Sequence, residues 1–90
     1  MGLNKNYVQS GAYKKADIKG IGKPVLVYRT FWGKKKIKMN KKTINRIEVT
    51  DRTSDLGFTL HTITVFWKDG QSSSILLDNF YYQQLVTELS

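Results

Sequence analysis

The sequence has no cysteine, one proline and one histidine, and its 7 acidic residues are outnumbered by 15 lysines and arginines. Without cysteine no disulfide can form, and a single histidine, His61, cannot assemble the usual His/Cys zinc cluster within one chain. No metal or cofactor is therefore expected, and stability must come from packing. Long apolar runs are missing too. The longest fall far below the ~20 residues that span a bilayer. Met1-Gly2-Leu3-Asn4-Lys5-Asn6-Tyr7 has no apolar stretch like that of a signal peptide, and Asn6 stands where a myristoylation motif needs Ser or Thr. These absences, with the lack of cysteine, lead to the expectation of a cytoplasmic protein.

Ninety residues fit one domain, because a chain of this size buries only roughly two-thirds of its extended surface. Tyr28, Phe31, Trp32, Phe58, Phe66 and Trp67 lie in or beside strand-like stretches, and each offers a large apolar area to a core. Charge is unevenly placed: residues 1–46 carry thirteen lysines and arginines against Asp17 alone, and residues 47–90 carry two against six acids. Such asymmetry bears on anionic partners.

Residues 1–13 give little local signal and suit a mobile arm or an irregular first strand. The division expected is a flexible arm over 1–12, with disorder at least to Asn6, followed by a single domain over 13–90. Tyr13 to Lys19 reads as a short edge strand shielded by lysines. Gly20-Ile21-Gly22-Lys23-Pro24 reads as a turn; its Gly-x-Gly-Lys lacks the spacing and terminal Lys-Ser/Thr of a phosphate loop. Val25 to Trp32 is dense in β-branched and aromatic residues, as in a central strand covered on both faces. Gly33 ends it, and Lys36-Ile37-Lys38-Met39 alternates, turning Ile37 and Met39 inward. Thr43 to Asp51 is strand again. Ile44 is out of phase with Ile47 and Val49, which predicts a bulge near Asn45. Arg52 to Gly57 reads as a loop.

Phe58 to Trp67 and Ser72 to Leu77 flank Asp69-Gly70, a hairpin signature. A two-residue loop would set Ile75 on the wrong face. A three-residue loop, Lys68-Asp69-Gly70 with Gly70 left-handed, pairs Ile63 with Ile75 and buries Ile63, Val65, Trp67, Ile75 and Leu77 together. Phe66 then points outward. Asp78 or Asn79 caps a helix over about 79–90, whose Tyr81, Leu85 and Leu89 make an apolar stripe with Tyr82 and Val86.

The order and spacing of the Ile37-Lys38-Met39 strand, the Ile44-Asn45-Arg46-Ile47-Glu48-Val49 strand, the Ile63 to Phe66 strand with its Asp69-Gly70 turn, the Ile75-Leu76-Leu77 strand and the Phe80 to Leu89 helix resemble a pleckstrin-homology-like (PH-like) domain of the compact bacterial type, over about residues 25–90. The resemblance implies a mainly β fold: a bent, partly open barrel of about six to seven antiparallel strands in two near-orthogonal sheets, capped by the C-terminal helix. It implies little about activity, since that fold hosts lipid, peptide and protein binding. Members that bind phosphoinositides place basic residues between the first two strands, which points here to Lys34-Lys35-Lys36.

No catalytic residues are expected. His61 shares a face with Ile63 and Val65 and has no nucleophile partner. Glu48 and Asp51 fall on opposite faces of a regular strand, and Ser72-Ser73-Ser74 lacks a nucleophile elbow. The remaining constellation is the ridge of Lys34, Lys35, Lys36, Lys38, Lys41, Lys42 and Arg46 beside Trp32, although large aromatics such as Trp32 and Trp67 are more often core. A non-catalytic binding module is the reading, with a protein partner first and an anionic membrane surface next. A nucleic acid bound by the ridge with stacking on Trp32 is the alternative, and a structural subunit of a larger complex the third.

Overall fold

The computed structural model describes residues 6–55 and 57–90. Seven strands and one helix follow in the order β1 Tyr7–Gly11, β2 Asp17–Lys19, β3 Val25–Thr30, β4 Gly33–Lys38, β5 Ile44–Asp55, β6 Phe58–Trp67, β7 Ser72–Asp78 and α1 Asn79–Leu89. All pairings are antiparallel and run unbroken in the spatial order β4-β3-β2-β1-β7-β6-β5. The chain is mainly β: one open sheet curls into a partly open barrel that the C-terminal helix caps. Continuous pairing replaces the two sheets expected. Two meanders, β1 to β4 and β5 to β7, are joined where β1 lies against β7.

The inner face follows from alternation. Val8, Ile18, Leu26, Met39, Ile44, Ile63, Val65, Trp67, Ile75, Leu77 and Leu85 are buried into one core. The β6–β7 hairpin has the expected register. Ile63 pairs with Ile75, the Trp67 amide bonds the Gln71 carbonyl, and Lys68-Asp69-Gly70 forms the loop with Gly70 at φ +94°. Both the backbone and side-chain N–H groups of Gln71 donate to the Asp69 carboxylate, at 2.9 and 2.8 Å, which holds its pKa below the usual value. The expected bulge is present between Ile44 and Arg46. Asp78 is the helix cap, its Oδ1 accepting the Tyr81 amide at 2.9 Å.

Four local expectations are corrected. The arm is structured from Asn6 on: residues 7–11 form β1, and buried Asn6 bonds both the amide and the carboxylate of Asp78; residues 1–5 lie outside the described residues. The strand expected over Tyr13 to Lys19 is only Asp17–Lys19, and it lies between β1 and β3 instead of at an edge. Arg52 to Asp55 is strand, not loop, pairing from Arg52↔His61 to Asp55↔Phe58; its polar side chains hide the pattern. A second irregularity, between Val49 and Asp51, puts Asp51 opposite Thr62 and Glu48 opposite Thr64, so these carboxylates share a face instead of opposing one another.

Gly11 shows why the β1–β2 corner is tight. Its φ is +86°, and a Cβ there would fall 2.4 Å from the Ser72 carbonyl oxygen, so no other residue fits without moving β7.

Candidate functional site: a basic cleft beside an exposed aromatic pair

The lysine-rich segment does not stay together. β4 pairs with β3 from Thr30↔Gly33 to Val25↔Lys38, and directly opposed residues share a face. Lys34, Lys36 and Lys38 therefore stand on the outer face, across from Arg29, Val27 and Val25. Lys35 faces inward, across from Tyr28. Lys41 and Lys42 lie in the turn at the far end of β4, where the Asn40 side chain accepts the Lys42 amide at 2.8 Å. Arg46 is on β5, the opposite end of the sheet, ion-paired with Glu48 and with its guanidinium carbon 4.0 Å from the centre of the Phe66 ring. Phe66 does point outward, but under that guanidinium.

Trp32 is not core. Phe31 and Trp32 form the tip of the β3–β4 hairpin, 91% and 85% exposed, with ring centroids 4.9 Å apart and planes at 86°. The Thr30 hydroxyl accepts the Trp32 amide at 3.2 Å and donates to the Gly33 carbonyl at 2.9 Å, and Gly33 has φ +123°. The turn is thus held by the Thr30 hydroxyl on backbone groups while both rings project into solvent.

A cleft of about 360 Å³ lies beside this hairpin. It arises because β2 is short: its pairing with β3 stops at Asp17↔Val27, leaving Tyr28 to Thr30 without a neighbour on that side. The Ala12–Ala16 turn folds over the gap. Tyr13 packs on Tyr28 (4.9 Å between centroids) and edge-on against Trp67 (5.5 Å), and the Ala12 amide bonds the Ser72 carbonyl. Burial, followed by the charge of Asp69 and the neighbouring Tyr28, raises the Tyr13 pKa. Lys14 and Lys15 from the turn, Lys19 from β2, Arg29 from β3 and Lys34 from β4 line the cleft, with Asp17 as its one acid. Cations this close act jointly, because screening at physiological salt decays over about 8 Å.

Only Lys34 of this set belongs to the expected ridge. Lys14, Lys15, Lys19 and Arg29 are scattered in sequence and meet only through strand pairing; the adjacent Lys14-Lys15 pair is the single local sign of them. The resemblance placed basic residues between the first two strands and pointed to Lys34-Lys35-Lys36. Those three lysines lie within β4 itself, just beyond the Phe31-Trp32 turn.

Compared with protein families, with curated proteins and with solved structures, the chain matches none.

Tyr13 and Lys15 have φ of +61° and +74°, a conformation that costs a non-glycine residue about 1 kcal/mol or more. At Lys15, whose side chain is exposed, Lys15→Gly is expected to raise stability by about 0.5–1 kcal/mol in urea unfolding, while removing one cation from the cleft.

His61 and Ser73 make contacts inside the fold. His61 is buried, stacked on Tyr82 at 4.0 Å, with Nε2 3.2 Å from Asn79 Oδ1. Buried Ser73 accepts from the Trp67 indole N–H at 2.8 Å and donates to the Ala12 carbonyl at 2.6 Å. Among the described residues no group of three or more His, Asp or Glu could hold a metal ion, and no helix is long and apolar enough to cross a membrane.

Proposed function

We propose that the chain is a non-catalytic, PH-like binding module that docks on an anionic membrane surface through the β3–β4 hairpin and the basic cleft. The observation that carries this reading is the pair of almost fully exposed rings, Phe31 and Trp32, projecting next to five cations. Large apolar side chains left in water on a hairpin tip gain most by entering the headgroup region, where aromatic residues settle. Each lysine or arginine near an anionic leaflet adds about 1 kcal/mol. The cleft accepts phosphate-bearing headgroups by charge, with Lys14 and Lys15 on one wall and Arg29 and Lys34 on the other. Nucleic-acid binding fits the rings less well: set edge to face at 86°, they do not form parallel platforms for successive bases.

Sedimentation with vesicles tests this. The chain is expected to pellet with phosphatidylcholine vesicles containing phosphatidylserine, to remain in solution with phosphatidylcholine alone, and to be released as salt is raised. Equal partition onto both vesicles, or partition indifferent to salt, overturns it.

A further inference from the structure

β4 is one end of the sheet: it pairs with β3, and among the described residues no strand pairs with its other side. It is also regular. Its register with β3 has no shift, whereas β5, the other end, is interrupted twice. Bulges turn an edge away from new partners, so β5 is protected by shape and β4 is not.

The direction of the free backbone groups follows from one bond. The Met39 amide donates to the Pro24 carbonyl on the β3 side. Successive residues of a strand direct their backbone groups to alternate sides, so the N–H and C=O groups of Lys34, Lys36 and Lys38 face the open side. The Thr43 hydroxyl donates to the Lys38 carbonyl at 2.5 Å; the groups of Lys34 and Lys36 are left for a further strand. On the outer face the three lysine side chains repeat about every 6.8 Å. On the inner face Ile37 borders a hollow of about 240 Å³ shared with Tyr13 and Trp67.

We infer that β4 is an addition site for an extended segment of another protein carrying acidic residues at alternate positions and apolar residues between them. Such a segment lies against β4 as an eighth strand, bonding Lys34 and Lys36 through its backbone. Its acidic side chains stand across from Lys34, Lys36 and Lys38, and an apolar one covers Ile37 and the hollow. Charge decides the occupant. The β4 of a second copy would set lysine against lysine, so the residues that prevent self-pairing select an acidic partner. The site is the strand edge, which shares Lys34 with the cleft, and it stands whether or not the chain binds membranes.

The test titrates the nitrogen-15-labelled full chain with two short capped peptides of identical composition, long enough to span β4. One alternates Glu and Val; the other has all its Glu residues before all its Val. The alternating peptide is expected to bind at least about tenfold more tightly and to slow amide exchange at Lys34 and Lys36. Lys36→Glu, at an exposed position whose folding the same spectrum checks, is expected to weaken it about tenfold. Equal affinity for the two peptides, protection at β5 or in the cleft instead of β4, or no binding by either peptide overturns the inference.

Discussion

Replacing Phe31 and Trp32 together by serine is expected to lower partition onto anionic vesicles by two orders of magnitude or more and to leave thermal unfolding unchanged. Moving one large aromatic side chain out of water is worth roughly 1.5–3 kcal/mol, and about 1.4 kcal/mol is a factor of ten in affinity. Both rings are solvent-exposed in the folded chain, so the fold loses little more than their mutual edge contact. The Thr30 hydroxyl bonds that hold the turn involve backbone partners and survive the substitution. Emission supplies a second readout, since the chain has only two tryptophans and Trp67 is buried. A blue shift on adding vesicles therefore reports Trp32. Vesicle binding retained by the double variant would mean that the rings do not enter the interface.

Trp67→Ala is expected to cost about 3–5 kcal/mol, a large part of the 5–15 kcal/mol that holds a typical domain together. Trp67 ends β6, presents its ring to the edge of Tyr13 and fastens two distant segments through its indole N–H. That N–H donates to Ser73, whose hydroxyl passes the bond on to the Ala12 carbonyl. Ser73→Ala leaves the indole N–H and the Ala12 carbonyl without this partner and is expected to cost about 2–3 kcal/mol. In a Trp67→Phe background the serine has no indole to satisfy, so the same change should cost distinctly less. Urea unfolding of the four chains checks this, and strictly additive costs would sink the account of a relay.

What the sequence made legible was local. The β6–β7 register followed from Asp69-Gly70 and the phases of Ile63 and Ile75, because a short loop couples two adjacent strands rigidly. The bulge near Asn45 was legible because Ile44 breaks phase with Ile47. β1 and β2 were not. They are five and three residues long and poor in β-branched residues; β1 is held by β7, far along the chain, and β2 by a few pairs with its neighbours β1 and β3. Arg52 to Asp55 read as loop because polar side chains mask an extended backbone. Residue type alone favours the core for Trp32, and only the turn geometry places it in water. The lysine run from Lys34 was visible as composition, but a strand's two-residue period splits it between faces. The cleft that replaces it draws Lys14, Lys15, Lys19 and Arg29 from three separate segments.

The placement of β1 sets the order in which the molecule can form. The β1 to β4 and β5 to β7 meanders each close through short connections, whereas the pairing of β1 with β7 that joins them spans most of the chain. Among the described strands β1 is made before the others and is completed by the latest of them, β7, and the helix cap at Asp78, tied to Asn6, can mature only at that step. Pairing across so long a stretch of sequence carries the entropic penalty that slows folding. Until β7 is made, the nascent chain keeps β1 as an open edge.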